Sequence, residues 1–344
     1  MRQRVVDATP LSDADEQFNQ GLRPQTLDEM IGLSDQLEPL RIALQAAIER
    51  GEALEHVLLD GPPGLGKTTI AHAIANEIGS KLVQSSGPAL SRTGDLMGIL
   101  TSLGRRDVFL IDEIHRMPIA VEEFVYPAME DRKVQFVVDR GAFAKTVEVP
   151  LKNFTLVGAT TKAGLLSKPL RERFAIFHHV EFYAPDDLQA IVTRSAKLLG
   201  IPIDEDAAAE IARRSRGTPR ITNNYLKRVR DFAQVKSDGH ITLDIARNAL
   251  DMLGVDELGL DELDRRFLRV IADFYDGGPV GIDALAATLN EDRGTLEDVV
   301  EPYLLRIGLL NRTSKGRRAT RRAFDHLHVD LQPSRPGQPE LFRD

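Results

Sequence analysis

The sequence predicts a P-loop α/β domain with a parallel sheet and helices on both faces, then an all-α lid domain and a winged-helix domain. An apolar β-run, a glycine-rich loop and an amphipathic helix follow one another in residues 56–79. After Pro185 the pattern changes from strands to helices, and from Leu258 three helices precede two short strands. The predicted domains are 1–184, 185–255 and 256–330, followed by a disordered tail, 331–344.

Composition is that of an ordinary soluble globular protein. The 344 residues are 42% hydrophobic and 28% charged, which suits two or three domains. Cysteine is absent, so disulfides and thiol catalysis are excluded, and the eight histidines lack metal-ligand spacing. No apolar run reaches membrane-spanning length and no signal-peptide core is present, so we expect a cytoplasmic location. The net charge of −8 argues against a wholly basic nucleic-acid coat but allows a local basic patch.

The glycine-rich loop GPPGLGKT, residues 61–68, fits the phosphate-binding pattern G-x-x-x-x-G-K-[ST]. Its glycines let successive backbone N–H groups turn toward phosphate oxygens, and the following helix adds partial positive charge. Lys67 suits the β- and γ-phosphates, and the Thr68 hydroxyl suits Mg²⁺. A chance glycine turn is the alternative, but the flanking strand and helix disfavour it. The sequence therefore predicts a nucleoside triphosphate site.

A second apolar strand, VFLIDE, ends in the carboxylates Asp112 and Glu113. A central parallel strand delivers its last residues to the same edge of the sheet as a P-loop. We expect Asp112 to hold the Mg²⁺ shell and Glu113 to polarise the attacking water. The strand FTLVGATT, residues 154–161, ends in hydroxyls that can reach the γ-phosphate or this water, or can cap a helix.

Two further segments allow more than one assignment from pattern alone. Residues 134–149 alternate in polarity around Gly141 and predict a β-hairpin, whose tip with Phe143 is either a docking surface or an ordinary edge. In GTPR, Pro219 marks the first turn of a helix and places Arg220 where it can face a phosphate. The dipole at the start of that helix is mildly unfavourable to a cation.

Charge is strongly polarised in the last domain. Residues 256–301 contain 13 acids and 4 arginines, whereas 303–324 contain seven cations and no acid. These cations are Arg306, Arg312, Lys315, Arg317, Arg318, Arg321 and Arg322. The absence of acids favours a phosphate-contacting wing on DNA over a merely solvated charge run.

With these parts placed, the chain resembles the AAA+ ATPases and, within them, the RuvB family of Holliday-junction branch-migration motors. The likeness covers roughly residues 18–330. It is carried by LRPQTLDEMIG, GPPGLGKTT, FLIDEIHR, YPAMED, GATTKAG, PLRERF, GTPRI, KRVRDF, EPYLLRIGLL and RTSKGRRAT. The resemblance implies a hexameric ring that uses ATP and Mg²⁺ to pull double-stranded DNA through its centre, so that four-way junctions migrate.

The resemblance also implies roles for single residues. Asp112 and Glu113 would be the Walker B acids, Thr161 sensor 1 and Arg220 sensor 2. Arg173 would be the arginine finger that reaches the neighbouring subunit's nucleotide. The other implied contacts to nucleotide or Mg²⁺ are Leu22, Arg23, Gly64, Lys67, Thr68, Thr69, Glu130, Asp131, Arg132 and Tyr183. The implied DNA contacts are Arg293, Arg312, Lys315 and Arg317.

Partners follow from the same resemblance. Hairpin 134–149 corresponds to the family's docking surface for a RuvA-type junction-binding protein, and a RuvC-type resolvase is the other expected partner. Four positions depart from the family pattern: Arg132 stands where an aromatic is common, Asn224 and Lys315 where Arg is usual, and Gly32-Leu33 replaces Gly-Gln. These departures bear on the DNA footprint rather than on catalysis, since Lys keeps the charge but loses the bidentate fork of Arg.

Two other functions fit parts of the sequence. A sliding-clamp loader subunit typically carries Ser-Arg-Cys at the finger and a helical collar, whereas this chain has PLRERF and a basic winged helix. A DNA-binding regulator that uses ATP only as a switch is the second, and the presence of Glu113 argues against it.

Overall fold

The computed structural model describes residues 21–138 and 145–329. These residues form two compact units, divided between Asp187 and Leu188. Phe143, at the tip of the predicted hairpin, and the predicted tail lie outside the described residues. Over the part of the chain that is described, no helix is both long enough and apolar enough to cross a membrane.

The first unit contains a five-stranded parallel sheet and a separate two-stranded antiparallel ribbon. The strands are β1 Val57–Asp60, β2 Leu82–Ser86, β3 Val108–Asp112, β4 Lys133–Val138, β5 Lys145–Pro150, β6 Thr155–Thr160 and β7 Ile176–His179. The helices are α1 Ser34–Arg50, α2 Lys67–Ile78, α3 Thr93–Ser102, α4 Ile119–Glu130 and α5 Lys168–Arg171. The sheet has the order β2-β3-β6-β1-β7, and β4 pairs with β5 in the predicted hairpin.

The central strands of the sheet are buried on both faces. Successive residues of β1, β3 and β6 are buried, and since neighbouring side chains point to opposite faces, both faces of the sheet are covered. All five strands run parallel, so their last residues meet at one edge and their first residues at the other. We call these the carboxyl edge and the amino edge. The predicted P-loop α/β fold is confirmed.

The second unit is a helical part followed by a winged helix. The first helices are α6 Pro185–Leu198, which begins just before the boundary, α7 Glu205–Arg214, α8 Pro219–Lys236 and α9 Leu243–Met252. The winged-helix part contains α10 Glu262–Phe274, α11 Ile282–Leu289, α12 Arg293–Thr295, a π-helical turn Leu296–Val300, α13 Glu301–Arg306, β8 Leu310–Thr313, β9 Gly316–Ala319 and α14 Arg321–Leu327.

The wing is a small antiparallel sheet closed by a third segment. β8 pairs with β9, and Val280 forms a bridge with Arg317 of β9. Gly316 has a φ of 135°, and a Cβ atom there would lie 2.4 Å from the carbonyl oxygen of Val280. Glycine is therefore required where the wing strand approaches this segment. The predicted winged helix is confirmed.

A buried ion pair joins the helical part to the winged helix within this unit. Arg216, whose φ of 60° is left-handed, directs Nη1 to 2.9 Å from Oδ2 of Asp264 on α10, and both side chains are buried. The guanidinium also lies 4.6 Å from the ring centroid of Tyr303. Breaking such a pair leaves one charge buried without its counter-ion, so its loss is costly even where its formation stabilises little.

Asp264→Asn is therefore expected to lower the free energy of unfolding of the second unit by about 3 kcal/mol. Hydrogen exchange of the α10 amides, read by mass spectrometry, measures the effect at the site. Asp231→Asn is the matched control, because Asp231 pairs with Arg230 at 2.7 Å on a partly exposed surface, and such a pair stabilises by about 1 kcal/mol or less. Equal protection of α10 in both variants would contradict the assigned role of the Arg216–Asp264 pair.

Candidate functional site

The P-loop follows β1 directly at the carboxyl edge. Gly61, Gly64 and Gly66 have φ values of 143°, 79° and 100°, a region that favours glycine. At Gly61 a Cβ atom would lie 2.3 Å from the carbonyl oxygen of Val180. A side chain at Gly61 would therefore force the loop away from the segment that follows β7.

The Lys67 ammonium lies inside this loop. Its Nζ donates to the carbonyl oxygens of Gly61 at 2.6 Å and Pro62 at 2.8 Å, and its side chain is buried. Burial lowers the pKa of Lys67, and nearby carboxylates, chiefly Glu113, oppose this effect. Because its hydrogen-bond acceptors here are neutral carbonyls, a phosphate group in the loop offers the ammonium a stronger, charged acceptor.

The two acids after β3 lie at the same edge. Oδ1 of Asp112 accepts the backbone N–H of Glu113 at 2.9 Å. Glu113 has a φ of 47°, a left-handed conformation that is uncommon for a residue with a side chain and that is often found at functional sites. Thr161, which follows the neighbouring strand β6, donates its hydroxyl to Oε2 of Glu113 at 3.2 Å. The predicted Walker B and sensor 1 residues are thus in contact.

His115 belongs to the surroundings of Glu113, although no sequence pattern marks it as a site residue. Its Nδ1 lies 3.2 Å from Oε2 of Glu113 and 2.9 Å from Oγ1 of Thr160, and its side chain is almost fully enclosed. The signal that could have identified it is its position two residues after Glu113, in the short 3-10 helix Ile114–Arg116.

The predicted adenine-side residues contact the P-loop and its helix. Tyr183 is buried, and its hydroxyl donates to the carbonyl oxygen of Leu65 at 3.2 Å. Arg23 places Nη1 3.2 Å from Nε2 of His72 on α2, and Leu22 beside it is buried. Burial raises the pKa of Tyr183 and, with the charge of Arg23, lowers that of His72. The predicted Thr68 and Thr69 lie half-buried in the first turn of α2.

Arg173 lies at the opposite edge of the sheet. It precedes β7, which is parallel to β1, and its Nη2 is 3.1 Å from Oε1 of Glu130 at the end of α4. The end of α4 lies at this edge too, because the carbonyl oxygen of Met129 is 3.3 Å from Nε2 of His56, which immediately precedes β1. The exposed Asp131 follows Glu130. Four residues of strand span about 13 Å, so Arg173 and the P-loop of the same chain are at different edges.

Arg132 also lies at the amino edge. Its Nη1 is 2.9 Å from Nε2 of His56, and its guanidinium carbon lies 5.3 Å from the ring centroid of Phe154. Nδ1 of His56 accepts the backbone N–H of Leu156 at 2.9 Å. Burial, together with the charge of Arg132, lowers the pKa of His56 to about 4, so His56 is neutral at physiological pH. Arg132 therefore shares the edge of Arg173 and not that of its own P-loop.

Arg220 belongs to the second unit. It occupies the first turn of α8, directly after Pro219, and its side chain is half-buried. Asn224, one turn further along the helix, is buried. Nucleotide contact by Arg220 stays a prediction.

The predicted DNA contacts differ in exposure. Arg312 on β8 and Lys315 in the turn of the wing are exposed. Arg293 is also exposed, but its Nη1 lies 3.1 Å from Oδ1 of Asp283 and its Nη2 3.2 Å from Oε1 of Glu297. A phosphate would therefore compete with two carboxylates for Arg293 and would meet Arg312 and Lys315 on the open surface of the wing.

Arg317 differs from this set because its side chain is buried. Nε donates to Oε1 of Glu301 at 2.6 Å, and Nη2 is 3.3 Å from Oε1 of Glu297. The side chain of Glu301 is also buried. In this conformation Arg317 fixes β9 to α13, and its predicted contact with DNA stays a prediction.

Comparison with known proteins agrees with this architecture along nearly the whole chain. Three family models match in succession: the Holliday junction DNA helicase RuvB P-loop domain over residues 22–180, the RuvB AAA lid domain over 183–256, and the RuvB C-terminal winged helix domain over 257–328. The Holliday junction branch migration complex subunit RuvB of Myxococcus xanthus is 51% identical over 323 residues, which cover 94% of each chain.

Solved structures give the same result. The Thermotoga maritima RuvB Holliday junction branch migration motor is 48% identical, with a TM-score of 0.83 over 91% of this chain and 100% of that chain. A mutant of the same Thermotoga protein matches with a TM-score of 0.84 and the same identity, over 90% of this chain and 99% of that one.

Proposed function

This chain belongs to the RuvB family of Holliday junction DNA helicases, and from that premise we propose that it is an ATP-driven branch-migration motor. It hydrolyses ATP and pulls double-stranded DNA through the centre of a homohexameric ring. Four-way junctions then migrate during recombination and repair, and the cytoplasm is the expected location for this work on DNA.

The observation that carries the ring is the placement of Arg173 and the P-loop at opposite edges of one sheet. A finger at the amino edge cannot reach a γ-phosphate held at the carboxyl edge of the same chain, since the strands between them span about 13 Å. A second copy that presents its amino edge to the first copy's carboxyl edge completes the site. This heterologous contact repeats from copy to copy, and it generates a ring when the rotation closes.

The residues of one chain then divide the work on ATP. The backbone of the loop around Gly64 and the ammonium of Lys67 bind phosphates, with Thr69 beside them. Glu113 polarises the attacking water, and Thr161 holds the Glu113 carboxylate in place. Arg220, the predicted sensor 2, is the proposed further contact with the phosphates.

Mg²⁺ fits the donor atoms that the site offers. The Thr68 hydroxyl and the Asp112 carboxylate would hold it, because Mg²⁺ prefers oxygen ligands and commonly takes one or two from protein, with the rest from phosphates and water. Over the described ranges, no group of three or more His, Cys, Asp or Glu could form an all-protein metal site. Bound Mg²⁺ neutralises charge that develops on the phosphates.

The basic wing is the proposed contact with DNA. Arg312 and Lys315 present their charges to solvent, which suits phosphate contacts without base readout, as a motor that crosses any sequence requires. Arg293 and Arg317 join them once their carboxylate partners release them. The hairpin of β4 and β5 is the proposed docking site for a RuvA-type partner, and a RuvC-type resolvase would act on the same junctions.

Two other functions are disfavoured. The winged helix matches the C-terminal domain of the RuvB family and not the helical collar of a sliding-clamp loader. A regulator that uses ATP only as a switch would not need Glu113 in a catalytic position.

A four-way junction assay tests the proposal. The full chain, with ATP and Mg²⁺, is expected to convert a labelled junction into duplex arms, faster with a RuvA-type partner, and its ATP turnover is expected to rise with DNA. Lys67→Ala is the negative control, because it removes the phosphate-binding ammonium. DNA-stimulated turnover without junction conversion would contradict branch migration, and turnover that ignores DNA would contradict a DNA motor.

A further inference from the structure

Three groups surround the guanidinium of Arg173. Nη1 donates to the carbonyl oxygen of Pro169 at 2.6 Å, and Nη2 pairs with Glu130 at 3.1 Å. The guanidinium carbon lies 4.2 Å from the ring centroid of Tyr126, within the range of a cation–π contact. Among the described residues, Nε of Arg173 is buried without a hydrogen-bond acceptor. The guanidinium is therefore held over the Tyr126 ring, and its Nε–H is left without an acceptor.

The Tyr126 ring is itself held in place through its hydroxyl. Its hydroxyl donates to Oε1 of Glu122 at 2.5 Å and lies 3.2 Å from the hydroxyl of Ser167. Ser167 donates to the same oxygen of Glu122, whose side chain is buried. A buried carboxylate that accepts hydrogen bonds from two hydroxyls resists reorientation, since the loss of either bond would leave its negative charge less well solvated. We call Glu122, Tyr126 and Ser167 the Tyr126 cluster.

The Tyr126 cluster also fixes the turn that carries the finger. Ser167 is the N-cap of α5, and its hydroxyl oxygen accepts the backbone N–H of Leu170 at 3.2 Å. Arg173 follows the end of α5 by two residues. Glu122 on α4 is thus joined both to the backbone turn before Arg173 and to the ring under its guanidinium.

We propose that Tyr126 and Glu122 are positioning residues for the arginine finger, which hold the Arg173 guanidinium over the Tyr126 ring at the amino edge, where the neighbouring subunit would lie. The inference rests on the proposed role of Arg173 in trans. A long side chain that must meet a transition state in another subunit gains from a fixed orientation, because misplacement lowers the rate steeply. Glu130, which is largely exposed, is the resting counter-ion that the neighbour's γ-phosphate replaces.

The test compares a substitution at Tyr126 that removes the aromatic ring with one that keeps it. Tyr126→Leu is expected to lower the kcat for ATP by about tenfold or more, because the ring face no longer orients the cation. KM for ATP is expected to change by less than about threefold, since the variant's own P-loop is at the other edge of the sheet. Tyr126→Phe keeps the ring face but loses the hydroxyl bond to Glu122, so it is expected to retain more of kcat than Tyr126→Leu, with a loss of about threefold.

Mixed rings show whether the defect acts in trans. Lys67→Ala subunits carry an intact finger and Tyr126 cluster, so mixing them with Tyr126→Leu subunits should restore turnover at the intact P-loops of the latter. A merely structural role would not give recovery. Sedimentation first verifies that the hexamers assemble. If Tyr126→Leu does not assemble, Tyr126→Met replaces it, because the Met side chain better fills the volume of the aromatic ring.

Each result has a distinct meaning. Two results overturn the inference, provided that a parallel mixture of Arg173→Ala and Lys67→Ala does recover turnover. One is a normal kcat in Tyr126→Leu, and the other is a lowered kcat in that variant that mixing does not restore. If that parallel mixture also fails, the proposed action of Arg173 in trans is wrong, and the inference falls with it.

Discussion

Glu113→Gln is expected to keep ATP bound while lowering the turnover number by about a hundredfold or more. Glutamine has the shape of glutamate and can still accept the Thr161 hydroxyl on its amide oxygen, so the site keeps its form. It carries no negative charge and is far too weak a base to polarise water. Turnover measured beside equilibrium ATP binding separates the two effects.

The surroundings of Glu113 make this a sharp test. Its left-handed backbone and the hydroxyl of Thr161 fix the carboxylate where the two central strands end. Glu123→Gln is the matched control, because Glu123 undergoes the same chemical change on the exposed face of α4. Turnover should then match that of the unmodified chain. Unchanged hydrolysis in Glu113→Gln would remove Glu113 from the mechanism.

The sequence predicted those parts of the site that are local or that follow from parallel strands. GPPGLGKT carries its own conformation in its glycines, and Asp112 and Glu113 end an apolar strand. Since parallel strands end at a common edge, the order of strands in the sequence predicts that the loop, the two acids and Thr161 lie together. The contact between Thr161 and Glu113 is the outcome of that rule.

Other parts of the site depend on side-chain pairings between distant segments. The seven cations of 303–324 were predicted as one phosphate-contacting set, yet Arg317 is buried in ion pairs with Glu297 and Glu301 from the acidic segment before it. Sequence counts treat each charge as free to face solvent, whereas the fold pairs some of them across elements. The placement of Tyr126 under Arg173 is hidden in the same way, because 47 residues separate the two.

Arg173→Ala is expected to lower the kcat of the assembled ring by about a thousandfold, the effect usual for loss of an arginine finger, with a smaller change in ATP affinity. The guanidinium stabilises charge on the γ-phosphate in the transition state, so its loss acts on turnover more than on binding. Arg171→Ala is the matched control. Arg171 lies in the same turn but is exposed, and its guanidinium carbon lies 5.2 Å from the ring centroid of Phe177. Turnover of Arg171→Ala should therefore stay near normal.

Mixing Arg173→Ala with Lys67→Ala protein distinguishes action in trans from action in cis. An Arg173→Ala subunit keeps its P-loop, and a Lys67→Ala subunit keeps its finger, so their shared interface is complete although each alone is defective. Some turnover should return at intermediate mixing ratios and vanish at both ends. No recovery at any ratio would contradict a finger in trans, and the position of Arg173 at the amino edge would then need another explanation. Recovery would make the catalytic unit the interface between two chains, because one sheet cannot bring its opposite edges together.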